Sequence, residues 1–74
     1  MNLEQIINIS PIKATSLLLE LEKTDSDLLL LGNNADAVLY WNKKKVELLD
    51  RYSDFIVTEN QLLDLYIEVN YTRK

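Results

Sequence analysis

The chain has no cysteine and no histidine. The first absence rules out disulfides as a staple for a small domain. The two together remove the thiolate and imidazole ligands on which zinc, haem and iron–sulfur sites depend. A single glycine cannot build the loop that cradles phosphates. Without histidine, acid–base chemistry falls to carboxylate pairs, a tuned lysine or a tyrosine. Asp25 with Asp27, and Asp50 with Asp54, are spaced closely enough, but the second pair falls on the polar side of a helix and the first at a helix cap or interruption. Asp25-Ser26-Asp27 opens as a calcium loop does, yet Leu30 stands where such a loop needs glycine and Asp36 where it needs glutamate. Ser10, Ser16, Ser26 and Ser53 have no base to activate them. These absences predict a protein that is not an enzyme, with no metal, no cofactor and no small-molecule substrate.

Basic charge is also scarce, with 8 Lys and Arg against 12 Asp and Glu, a net charge of −4 and a pI near 4.6. An acidic surface repels phosphate backbones and anionic lipid, so neither nucleic acid nor a membrane is the expected partner. No run reaches the roughly 18 apolar residues of a spanning helix. The start, Met1-Asn2-Leu3-Glu4, lacks the basic and apolar segments of a secretion signal. A cytoplasmic location is expected.

What the chain does have is apolar side chains, 47% of its 74 residues. That is too many for a disordered linker. It is also more than a domain this small can enclose, since such chains bury only about 60% of their unfolded surface. One domain over residues 1–74 is expected, with part of its apolar surface covered by another protein or a second copy.

The spacing predicts an all-α fold. Leu3, Ile6, Ile7 and Ile9 mark a short helix over 3–9. Ser10-Pro11 pairs an N-cap type with a proline suited to the first helical position. Ala14, Leu17, Leu18, Leu21, Leu28 and Leu31 then share one helical face, with Thr24 and Asp25 as a polar gap in it. A single helix over 11–31 is favoured over a break at the gap, because the face keeps its phase. Gly32 suits a C-cap, and Asn33-Asn34 extends the turn, with asparagine tolerant of left-handed backbone and Asn34 as the next cap. A second long helix follows over about 35–57, with a main face of Ala35, Val38, Leu39, Val46, Leu49, Tyr52 and Ile56. Glu47 and Arg51 form an i,i+4 pair on its polar side. Thr58-Glu59-Asn60-Gln61 fits a capping box for a last helix over 59–71. Residues 65–72 also alternate as a strand would, but nothing is at hand to pair with one. The result is a helical hairpin of two longer helices with short helices at both termini.

The stretch Leu28 to Lys45 admits a second reading. Gly32, Val38 and Trp41, with Leu31 before the turn, are spaced as in the helix-turn-helix of phage Cro and repressor proteins, which this stretch resembles. The resemblance implies a recognition helix over about 36–45, with Lys43, Lys44 and Lys45 meeting phosphates, and a transcriptional regulator as the alternative function. It covers about a fifth of the chain and departs from the pattern at Leu28, Asn33 and Asp27, where small or inward-packing residues are usual. A plain helical elbow is favoured.

Two apolar strips remain after the main faces are assigned. Ile12, Leu19 and Leu30 lie behind the first long helix. Trp41, Leu48 and Phe55, with Tyr52 between the faces, form a flank on the second. The terminal helices could cover either strip. A strip left open would dock another protein. The expectation is therefore a small acidic interaction module — adaptor, chaperone-like or an inhibitory or regulatory subunit — oligomeric or partner-bound through Trp41, Leu48, Tyr52, Phe55, Ile12, Leu19 and Leu30.

Overall fold

The structure, a computed structural model, describes residues 2–72. Four helices follow one another: α1 (Leu3–Ile9), α2 (Pro11–Leu31), α3 (Ala35–Arg51) and α4 (Glu59–Ile67), the last running into a π-helical turn at Glu68–Thr72. No strand occurs among the described residues, so 65–72 is helical in its α and π parts.

Local chemistry starts and stops these helices. Asn2 and Gln5 form a reciprocal capping box on α1, and Thr58 and Gln61 form another on α4. Ser10 accepts from the Lys13 amide at the start of α2, with Pro11 at its first position. Gly32 closes α2 with φ 75° and ψ −160°, a backbone state open essentially to glycine alone. It is the only described residue with positive φ. The asparagines therefore do not use left-handed backbone. Asn34 acts through its side chain instead: Nδ2 donates to the Leu31 carbonyl at 2.6 Å and Oδ1 accepts from the Ala37 amide at 3.1 Å.

Helix α2 is unbroken through the polar gap, for reasons that lie outside it. The Thr24 hydroxyl donates to the Glu20 carbonyl at 2.7 Å. Asp25 accepts from Tyr66 and Tyr71 at 2.5 and 2.7 Å. The gap is where the end of the chain docks. The π turn widens the helix so that the neighbours Val69 and Asn70 are both buried, and Asn70 donates to the Leu21 carbonyl at 3.2 Å.

Helix α3 ends at Arg51, six residues short of the expected Val57. Tyr52 caps it, and the Phe55 and Ile56 amides both return to the Tyr52 carbonyl. Consecutive residues of a continued helix would diverge by about 100°, whereas the turn sends both Phe55 and Ile56 into the core. The inward face of α3 also differs from the expected one in part, keeping Tyr52 and Leu49 but not the residues before them. Leu48 and Tyr52 are buried, with Trp41 and Leu49 half-buried, while Val38, Leu39 and Val46 face solvent. Helix α3 is apolar on two opposite sides, so periodicity alone could not tell inward from outward. Trp41 against Tyr66, Tyr52 hydrogen-bonded to Ser16 at 2.6 Å, and Lys44 beside Glu20 decide it.

The core gathers Leu3 and Ile6 of α1, Ala14, Leu17 and Leu21 of α2, Leu48, Tyr52, Phe55 and Ile56 around the end of α3, and Leu62, Leu65 and Val69. Each fully buried leucine here contributes roughly 1.5–3 kcal/mol relative to exposure. All of this lies at one end of the hairpin. Between Ser26 and Glu47 no residue is buried.

Candidate functional site

The unburied end of the hairpin is the candidate site. It combines the last turns of α2 with the first half of α3, joined at Gly32-Asn33-Asn34. Hydrogen bonds and ion pairs hold it, in place of a core. The Tyr40 hydroxyl donates to Asp27 at 2.6 Å across the hairpin. Lower down, Glu20 Oε2 lies 3.1 Å from Lys44 Nζ and 3.5 Å from Arg51. That oxygen is shielded from water and makes no hydrogen bond of good geometry, so the two cations are its compensation. Arg51 thus reaches across to Glu20; the Glu47 carboxylate lies instead 3.5 Å from Lys44.

An aromatic wall closes one side. Trp41 meets Tyr66 edge-on, with centroids 5.3 Å apart, and Tyr66 lies 6.2 Å from Tyr71. Leu28, Ala37, Val38, Trp41, Leu63 and Tyr66 line a shallow apolar groove of about 360 Å³. A second depression of about 470 Å³ adjoins it toward the elbow, sharing Leu28, Ala37 and Tyr66 and adding Asp25 and Tyr71. Large aromatic surface beside an open apolar groove suits docking of another chain.

The tyrosines are set up to hold structure. Burial, then the hydrogen bond to Asp27 and its charge, pushes the Tyr40 hydroxyl up to about 12. Tyr66 is raised by burial and by Asp25, and Tyr71 chiefly by its hydrogen bond to Asp25. All three stay protonated near neutrality as fixed donors. Burial alone would lower Lys44, but Glu20 and Glu47 outweigh it and raise its pKa, so it remains a cation.

The sequence-derived candidates separate into two groups of three, with Trp41 between them. Ile12 and Leu30 are 84% and 86% exposed, and Leu19 is also exposed, along the outer row of α2. Leu48, Tyr52 and Phe55 belong to the core, a correction to their reading as a docking strip: the helices meet through that side of α3, with α2 and α4 packed against it. Trp41 is half-buried at the groove wall. Sequence reasoning missed Val38, Leu39 and Val46 as outward residues, along with Leu29 and Leu63. The available signal was the second apolar face of α3. Of the three lysines of the helix-turn-helix reading, Lys44 pairs with Glu20 and Lys45 with Glu59 at 3.4 Å, while Lys43 has no ion-pair partner among the described residues. No group of residues able to hold a metal occurs among the described residues, and no described helix is long and apolar enough to cross a membrane.

Compared with known proteins, the chain matches no family model, no curated protein and no solved structure.

Proposed function

We propose that the protein is an interaction module that docks another protein through the open end of its hairpin and the outer row of α2. One observation carries this reading. The segment from Ser26 to Glu47 contains Leu28, Leu29, Leu30, Leu31, Val38, Leu39, Trp41 and Val46, yet none of its residues is buried. Apolar surface left uncovered to this extent on a small chain marks a contact surface. The groove beside Trp41 and the row Ile12, Leu19 and Leu30 supply its anchors.

A photoreactive residue placed at Leu30 or Val38 of the full chain is expected to capture one defined protein from the source cell. Ile12→Lys or Leu30→Lys should abolish retention of that protein while far-UV circular dichroism is unchanged. Equal retention by both variants would sink the proposal. Gel retardation of genomic DNA is expected to be absent, because the chain carries a net charge of −4 and Lys44 is already held by Glu20 and Glu47. Steep salt-dependent retardation lost on Lys43→Gln would favour the DNA-reading alternative.

A further inference from the structure

The outward side of α3 carries a pattern of its own. Ala35, Leu39, Asn42, Val46 and Leu49 follow one another in alternating steps of four and three, the spacing of a coiled-coil seam. Ala35, Leu39, Asn42 and Val46 are exposed, Leu39 and Val46 at 67% and 68%, and Leu49 is half-buried at the core end. Lys44 and Arg51 occupy the opposite side of the helix, tied to Glu20 of α2. The seam is therefore free of the chain's own packing along most of its length.

We propose that α3 pairs with α3 of a second copy of this chain, parallel and in register. The proposal rests on the reading that apolar helix surfaces are the contact surface, and it commits one of them to self-association. Three features select this occupant and orientation. The seam is regular, so identical layers can stack: Leu39 on Leu39, Val46 on Val46, Leu49 on Leu49. Asn42 sits at its centre, where in a parallel pair it meets its own copy and two amides can satisfy each other. Asn42 takes a d position of the seam, and a self-paired amide there disfavours any register that sets it against a leucine, at some cost in stability. Charge is self-complementary as well. Lys45 and Asp50 flank the seam on opposite sides, five residues apart, so each lysine faces the partner's aspartate in the parallel arrangement. In the single chain Lys45 pairs with the exposed Glu59 at 3.4 Å, a pair to be shared or given up on dimerisation, and Asp50 has no ion-pair partner among the described residues.

Antiparallel pairing fares worse. The register that stacks Leu39 on Leu49 sets Lys43 against Lys43, Lys45 against Lys45 and Asp36 against Asp50. The other register matches Lys43 with Asp36 but buries each Asn42 amide against Leu39 without a partner, which costs about 1–3 kcal/mol per amide. The contact spans only about 22 Å of helix, at the small end of specific interfaces, so the pairing is weak and concentration-dependent.

Sedimentation equilibrium of the intact chain should show a monomer–dimer equilibrium. Leu39→Lys and Val46→Lys should each weaken it by more than about tenfold with helicity retained. Asn42→Leu should tighten it by about tenfold. Asp50→Lys should weaken it, and Lys45→Glu combined with Asp50→Lys should restore it. Because the chain has no cysteine, Asn42→Cys adds a single thiol; it should oxidise to a dimer rapidly, and Leu30→Cys should not. This readout holds even if a lysine variant unfolds. A monomer at every concentration, a dimer indifferent to Leu39→Lys, or faster oxidation through Leu30→Cys overturns the proposal. A monomer that still loses its captured protein on Leu30→Lys would overturn self-association alone and leave the interaction module standing.

Discussion

Gly32 and Asn34 shape the elbow by different means. A Cβ on Gly32 would meet nothing within 4 Å, so glycine is required there by backbone conformation and not by crowding. Gly32→Ala is expected to destabilise the fold by about 1–3 kcal/mol, read as a shift of the urea midpoint at constant slope. Tyr40 makes a pH prediction. Its pKa is raised from 10.0 to about 12, so the folded state holds the proton more tightly than the unfolded one. The stabilisation is complete below pH 10 and is lost as pH rises toward 12. Urea titrations across that window should show stability falling for the native chain and falling less for Tyr40→Phe. An unchanged alkaline profile in the variant would count against the Asp27 bond. Asp25 collects two tyrosine hydroxyls, and Asp25→Ala strands the partly buried Tyr66 donor, an expected cost of about 1–3 kcal/mol, while the exposed Tyr71 hydroxyl turns to water.

At the level of elements, the caps and the inward faces of α1 and α2 were legible, and the face of α3 was legible only in part. Ser10-Pro11, Gly32, Asn34 and the Thr58–Gln61 box each state their role within four residues, because capping is local chemistry. The continuous α2 was legible too, although Asp25 looked like a flaw. Its partners, Tyr66 and Tyr71, lie 41 and 46 residues away, beyond any local pattern. Part of the face expected of α3 turned outward, at Val38, Leu39 and Val46, while Leu49, Tyr52 and Ile56 lie inward as expected, because both sides of the helix are apolar. The deciding contacts, Trp41 on Tyr66 and Lys44 on Glu20, come from other elements. Its early end has the same origin, since only the assembled core shows where Phe55 and Ile56 must go. Paired truncations test the corrected orientation. Leu48→Ala should cost about 2–5 kcal/mol. Leu39→Ala should stay within about 0.5 kcal/mol at concentrations where the chain is monomeric. The reverse order in denaturant melts would restore the periodicity-based face.

As a whole, the molecule is 37 Å along its greatest extent, and α2 spans about 31 Å of helix, yet the core fills one end only. Stability should be distributed in the same way. Amide exchange is expected to be fastest between Ser26 and Glu47 and slowest around Leu17, Leu21, Leu48 and Leu62, with the hairpin tip opening before the core end. Uniform protection along α2 would contradict this. The same imbalance unites most of the candidate contacts: Leu30 of the outer row of α2, the groove beside Trp41 and most of the seam of α3 lie where the core does not reach.

The side chain of Asn34 fastens the end of one long helix to the beginning of the next, donating to the Leu31 carbonyl and accepting from the Ala37 amide. Exchanging its NH2 for oxygen, as in Asn34→Asp, keeps the second bond and turns the first into repulsion between two acceptors. A latch that depends on so few atoms makes the opening of the tip adjustable without disturbing the leucines that anchor the other end.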